Sequence, residues 1–400
     1  MVHRLACELP AISADLIEVA ATVYAVDRLV PRPATRDMSA GLSWARELRL
    51  GIPVREPQLW SAHARQLTEL LAWLTDDTWS LEFFQFAGGT GLLDEPQAFL
   101  FHTIPQGAAP ALFSGGLDSA AGLAAHLVHG DAAAVSVDTN NWMQHVQQRV
   151  ARQLSTASQH TCVPLRYRVS LHGRSAESSQ RSRGLLFLAA GIATAWALRQ
   201  DRLQVFENGI GAINLPYLRS RFGSQATRAM HPRTLLLAQD LAAAISHRPF
   251  RIDAPTLTAT KAHLIRSVPA AADPALALTV SCDTGFSARV LRHAPCGVCT
   301  SCLLRRQALH AAGKAVLDAE AGYGTSSPEG SFTLQAMLWQ VTRLRTCLTR
   351  PDPWQALVSE FPEILDTAPL APTEVINLYR SYVQEWDGLQ GTLGIGRTAA

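Results

Sequence analysis

The sequence predicts an α/β chain: a doubly wound parallel sheet, a small cysteine-rich module and an amino-terminal α+β extension. Three observations predict it. From residue 109 onward, short apolar runs alternate with helix-length segments. A Gly-Gly pair sits at the first strand-to-helix junction, in "ALFSGGLDSAAGL". Four of the seven cysteines crowd together at Cys282, Cys296, Cys299 and Cys302.

Residues 1–105 read as the extension. A helical stretch covers Ala11–Leu29, "VPRPATRD" breaks the chain, and "SWARELRLGIPV" and "WSLEFFQFAG" alternate as strands around a helix at residues 59–74. "GGTGLLDEP" lacks the Gly-Lys-Ser/Thr ending of a phosphate loop and reads as a surface turn. Residues 106–270 follow as the sheet domain. Its strands are "APALFS", "AAVSVD", "LRYRVSL", "LQVFEN" and "FRIDAP", and its helices start near Asp118, Trp142, Ser182, Pro232 and Thr260. Strict alternation of this kind makes βαβ units, and ligands gather at the carboxyl ends of such strands. Residues 271–345 form the cysteine module with the helices after it. Residues 346–400 form a helical tail ending in the Gly-rich, mobile "GLQGTLGIGRTAA".

Composition narrows the class. With 48% hydrophobic and 17% charged residues the chain is globular, and a net charge of +2 gives no field that favours nucleic acid or an anionic membrane. The apolar run at residues 184–198 is shorter than the ~20 residues of a membrane span. Glu8, Asp15 and Glu18 interrupt the amino-terminal apolar region, which lacks signal-peptide order. A cytoplasmic protein is expected.

The loop Ser114-Gly115-Gly116-Leu117-Asp118-Ser119 suits a phosphate. The glycine amides form a concave nest and the following helix adds its positive end. Ser114 and Ser119 offer hydroxyl donors, while Asp118 holds a magnesium ion or orients the loop. Asp138 ends the second strand of this domain, either at the nucleotide or as a helix cap. Arg183 opens the apolar helix, where an arginine opposes the dipole unless an anion is near. Lys261 opens another helix. Glu207, Asn208 and Gly209 end the fourth strand at the ligand crevice, and His231 reads either as a substrate contact or as the turn before Pro232. Cys296-x-x-Cys299-x-x-Cys302 with Cys282 supplies four thiolates at a spacing that tetrahedral zinc accepts, with an iron–sulfur cluster as the competitor. Four protein ligands close the sphere, so the metal is expected to be structural.

The loop resembles the signature of the PP-loop ATP pyrophosphatases, which cleave ATP between the α and β phosphates. Taken in order, "SGGLDS", "RGLLFLA", "TKAHLI", "SC" and "CGVCTSCLLRRQAL" resemble the 7-cyano-7-deazaguanine synthases, known as QueC, over about residues 109–312. The resemblance implies an adenine nucleotide alpha hydrolase-like sheet, ATP with Mg2+, structural Zn2+, and a catalytic set of Asp118, Ser119, Lys261 and Arg183. It implies nucleotide contacts at Ser114, Gly115, Gly116, Leu117, Asp118, Ser119, Asp138 and Gly209. Such enzymes adenylate the carboxylate of 7-carboxy-7-deazaguanine, and ammonia then gives an amide and finally a nitrile. The chain departs from that pattern: it has "GIGAINLPYLRSRFGSQATRAMHPR" where relatives carry Tyr-Pro-Asp-Cys-Arg, Gly184 where they carry Asn, and a longer gap from Cys282 to Cys296. With the extension, these departures resemble the larger QueC-like proteins of bacterial anti-phage operons. That branch implies a deazapurine substrate, a protein amine as acceptor, and other defence-operon proteins as partners. Two alternatives stand beside this reading: a tRNA-modifying PP-loop enzyme, and a non-catalytic nucleotide-binding subunit of a defence complex.

Overall fold

The computed structural model describes residues 10–33, 44–87, 104–138, 141–169, 171, 174–177, 179–217, 227–282, 295–318 and 332–393. In the extension, α1 (Ala11–Leu29) precedes β1 (Glu47–Val54), α2 (Pro57–Ala62), α3 (Ala64–Thr75) and β2 (Thr78–Gln85). The single helix expected at residues 59–74 is two. Pro57 starts α2 two residues early, and the chain breaks at His63, whose Nδ1 bonds Gln66 Oε1 at 2.8 Å. β1 and β2 pair in parallel from Glu47↔Thr78 to Val54↔Gln85, so the two helices form a crossover between them. The "GGTGLLDEP" turn lies outside the described residues.

Five strands make the main sheet: β3 (Ala109–Leu112), β4 (Ala132–Asp138), β5 (Cys162–Arg168), β6 (Arg202–Gln204) and β7 (Arg251–Asp253). All pair in parallel, in the order β5-β4-β3-β6-β7. The first strand is therefore central, and the chain winds outward from it in both directions. β6 ends before "LQVFEN" does: past Gln204 only Val205 N bonds Asp253 O, at 2.9 Å, and Asn208 then caps the next helix, accepting from Gly211 N.

Between these strands run α4 (Leu117–His126), α5 (Asn141–Thr156), α6 (Arg183–Ala197), α7 (Gly209–Ile213) and α8 (Pro232–Ser246). Then come α9 (Lys261–Arg266), α10 (Asp273–Ala277) and α11 (Thr300–Ala311). The period of two sorts β4 between two cores: Ala133, Val135 and Val137 join one, Ala132 and Ala134 the other. The first core also takes in Val19 and Val23 of α1, Leu70 and Leu74 of α3, and Leu188 and Ile192 of α6, so the extension and the sheet share it.

A third core joins α7 to α12 (Phe332–Leu348), α13 (Pro353–Glu360) and α14 (Pro372–Leu393) around Tyr379, Tyr382 and Trp386. α14 carries the chain through the start of the Gly-rich tail to Leu393. No helix among the described residues is long and apolar enough to cross a membrane.

The second core sets the stance of α4, the helix that follows the glycine loop. A Cβ at Gly122 would lie 2.1 Å from Cγ of Phe206. Gly122→Ala is therefore expected to destabilise the chain by about 1–3 kcal/mol, as overpacked cores do. Denaturant unfolding checks it, and an unchanged midpoint would show that Phe206 swings aside freely.

Candidate nucleotide site and cysteine cluster

The loop sits at the carboxyl end of the central strand. Gly115 takes φ +83°, a conformation that favours glycine, and a Cβ there would also lie 3.0 Å from Gln147 Cγ. Three loop carbonyls are turned away to donors. Ser114 O accepts from Gln147 Nε2 at 3.1 Å, Gly115 O from Val280 N at 3.2 Å, and Gly116 O from Ala120 N and Ser119 Oγ at 3.1 Å. With the carbonyl dipoles taken up in this way, the loop offers an anion the amino end of α4 and the hydroxyls of Ser114 and Ser119, which lie 3.1 Å apart.

Asp118 projects from the first turn of α4. Its Oδ2 accepts from Lys261 Nζ and, at 3.1 Å, from Asn208 Nδ2. Its Oδ1 is buried and meets no N–H donor, and the carboxyl that hydrogen-bonds Asp118 is that of Glu207. Lys261 is delivered by α9, whose start is capped by Thr260 accepting from His263 N at 3.1 Å. Beside them Asn208 Nδ2 also donates to Glu207 Oε1 at 3.3 Å.

Burial first, and then the adjacent Asp118 carboxylate, push the Glu207 carboxyl up to about 8 against the pull of Lys261. A carboxyl kept neutral on folding binds more protons in the folded chain than in the unfolded one. Stability that Glu207 supplies at low pH is therefore lost as pH rises from about 4.5 to about 8. Glu207→Gln removes that dependence, so its melting temperature is expected to gain steadily on the parent's across this window. Scanning calorimetry without added magnesium reads the difference, and parallel curves would show that another group titrates.

These residues line one cleft of about 350 Å³. Ser114, Gly116, Leu117, Asp118, Ser119, Glu207, Asn208 and Lys261 face it together with Tyr217, Met230, Ser281, Thr300 and Leu304. Of the residues expected from sequence, Ser114, Gly116, Leu117, Asp118, Ser119 and Lys261 are thus brought together, with Gly115 shaping the turn. Gly209 stands behind the cleft, where a Cβ would lie 2.1 Å from Leu257 O. Asp138 ends β4 with its Cα paired to Arg168.

Arg183 is not among the residues lining the cleft. Its guanidinium lies 5.0 Å from the Phe187 ring centroid, in a buried setting beside Tyr24 and Arg28 where burial lowers its pKa. His231 is the cap of α8: its Nδ1 accepts from Arg233 N at 3.2 Å, and burial with Arg228 and Arg233 nearby pushes it down to about 3. Sequence reasoning missed Gln147, whose only signal is a polar residue on an amphipathic helix, and Thr300 and Ser301, which lie inside the cysteine spacing itself.

The four cysteines meet. The sulfurs of Cys282, Cys296, Cys299 and Cys302 lie within 4.8 Å of one another. Zn–S bonds of about 2.3 Å in a tetrahedron set sulfurs about 3.8 Å apart, so the donor set fits zinc. Backbone amides support it: Cys296 N donates to Cys282 Sγ and Cys299 N to Cys296 Sγ, both at 3.3 Å. Gly297, at φ +75°, makes the tight turn between. As thiols, Cys296 and Cys302 resist ionisation, Cys296 chiefly through burial and Cys302 chiefly through its bond to Cys299. A divalent cation reverses that preference. Cys299 also precedes the first residue of α11, whose Thr300, Ser301 and Leu304 face the cleft, so the cluster aims this helix at the site.

A family model described as queuosine biosynthesis protein QueC matches residues 230–313. The match covers about a fifth of the chain, from the last residue before the α8 cap through α11, and includes Lys261 and all four cysteines; the glycine loop lies outside it. It supports QueC-like family membership and an activity of the ATP-utilising synthase type. No curated protein matches the chain.

Proposed function

We propose that this chain is a PP-loop ATP pyrophosphatase that activates the carboxylate of a 7-carboxy-7-deazaguanine-like substrate and passes it to a nitrogen nucleophile, with a protein amine as acceptor in an anti-phage defence setting. The observation that carries the reading is the Asp118 carboxylate. It stands at the helix start beside a Gly-Gly turn, gripped on Oδ2 by Lys261 and Asn208 and met by no N–H donor on Oδ1.

The substrate carboxylate attacks the α phosphorus of ATP, forming the acyl-adenylate and releasing pyrophosphate. The nitrogen nucleophile then attacks the carbonyl carbon, the bond to AMP breaks, and one proton leaves the nitrogen to give the amide. The α4 amino end, with the Ser114 and Ser119 hydroxyls, holds the departing pyrophosphate, where charge develops. Asp118 Oδ1, with Glu207 beside it, fits a magnesium ion, which when bound neutralises phosphate charge. Lys261 orients Asp118.

Pyrophosphate release on adding 7-carboxy-7-deazaguanine tests the reading. Release that depends on the carboxylate is expected. Equal ATP consumption without it overturns the substrate assignment, and tight ATP binding with no release in either case would favour a non-catalytic nucleotide-binding subunit.

A further inference from the structure

We propose that the amino-terminal extension positions one wall of the cleft through a clasp of Trp73 and Asp76, and thereby sets affinity for the carboxylate substrate rather than for ATP; the substrate part rests on the function proposed above. The wall is residues 227–230. Thr227, Ala229 and Met230 face the cleft. Arg228, between them, turns its side chain outward to the extension. Its Nη1 donates to Trp73 O at 2.7 Å and to Asp76 Oδ1 at 2.6 Å, and its guanidinium carbon lies 4.3 Å from the Trp73 ring centroid.

The clasp is closed by a second strap. Trp73 Nε1 donates to Thr234 Oγ1 at 2.9 Å, and that hydroxyl donates in turn to the Arg228 carbonyl. Asp76 also binds Arg181 on its other oxygen at 2.6 Å, so one carboxylate separates two guanidiniums that repel each other. From behind, α6 presses on the wall: a Cβ at Gly184 would lie 2.7 Å from the Ala229 Cα. The backbone of the wall thus has no slack on its outer side, and its inner side presents Met230 and Ala229 to whatever occupies the cleft. A planar heteroaromatic ring stacks on such a surface. The phosphate end is built from α4, α9 and the start of α7; only the far end of α7 reaches the wall, where its cap Asn214 donates to Thr227 O at 3.2 Å.

Asp76 ends α3 at φ 59°, a backbone state that asparagine adopts readily, so Asp76→Asn keeps the helix end while discharging the clasp. Trp73→Phe is the milder partner: it keeps the backbone carbonyl and a smaller aromatic ring, and loses the Nε1 donor with part of the ring area under Arg228. Both variants are compared with the parent by two measurements. Tryptic cleavage of the Arg228–Ala229 bond, located by mass spectrometry, needs no activity. Pyrophosphate release gives separate KM values for ATP and for 7-carboxy-7-deazaguanine. For Asp76→Asn, cleavage and carboxylate KM are each expected to rise about tenfold, the effect of losing one charge-assisted hydrogen bond, with ATP KM unchanged. Trp73→Phe moves both in the same direction by less.

Unchanged cleavage overturns the clasp. Faster cleavage with an unchanged carboxylate KM, or with both KM values rising together as the melting temperature falls, overturns its role in substrate affinity. If the parent itself shows no carboxylate-dependent release, the proposed function fails, and the substrate role with it, while the cleavage result still decides whether the clasp holds the wall.

Discussion

Asp118→Asn is expected to lower ATP-dependent pyrophosphate release by about 10²–10³ while nucleotide still binds. The substitution keeps the shape of the side chain and removes its charge. Lys261 and Asn208 then donate to a neutral oxygen, and the buried Oδ1 position no longer attracts a cation. The loop carbonyls stay turned away, because Gln147 and Val280 hold them independently of Asp118. Calorimetric titration should therefore show weakened but present ATP binding. A side effect identifies the cause: with Asp118 neutral, the repulsion that helps keep Glu207 protonated is gone, so Glu207 ionises at lower pH and pairs with Lys261. Turnover at the parent rate would mean that this carboxylate has no catalytic part, and the enzyme reading would fall with it.

Cys299→Ser is expected to have the largest effect on stability. Structural zinc contributes about 10–16 kcal/mol of apparent binding free energy in small domains, and that free energy is folding free energy. Three sulfurs leave an open sphere, so metal content should drop below one zinc per chain and the melting temperature should fall sharply. Activity should fall too, since Thr300, Ser301 and Leu304 reach the cleft only because α11 is anchored at its start. Elemental analysis and scanning calorimetry read the outcome. Folded parent protein without zinc would refute it, and visible absorption with bound iron would assign the cluster to the competing cofactor.

Much of this was legible in residue order. Alternation of short apolar runs and helix-length segments located all five strands of the main sheet, and α1 falls on residues 11–29 as its helical pattern predicts. The loop and cysteine motifs are local, so spacing alone conveys their chemistry. Other features are long-range and leave no such trace. Strand order brings Glu207 and Asn208 to the same crevice as the loop, but nothing in residue order announces the bond from Asn208 to Asp118, 90 residues away. Arg183 is placed by the fold rather than by its position at a helix start: its guanidinium lies over the Phe187 ring beside Tyr24 and Arg28. Glycines whose need is a neighbour's bulk, such as Gly122 against Phe206 and Gly184 against Ala229, look in sequence like ordinary helix-weakening residues.

The core shared by α1 and α6 bears on how the chain is made. α1 leaves the ribosome first, but the helix that covers it, α6, follows about 170 residues later. At roughly 5–20 residues per second, Val19 and Val23 stay uncovered for on the order of 10–30 seconds of synthesis. The extension therefore cannot mature ahead of the sheet. During that interval α1 is a candidate client for holding chaperones, and slowing translation between residues 30 and 183 should raise the fraction of chain lost to aggregation.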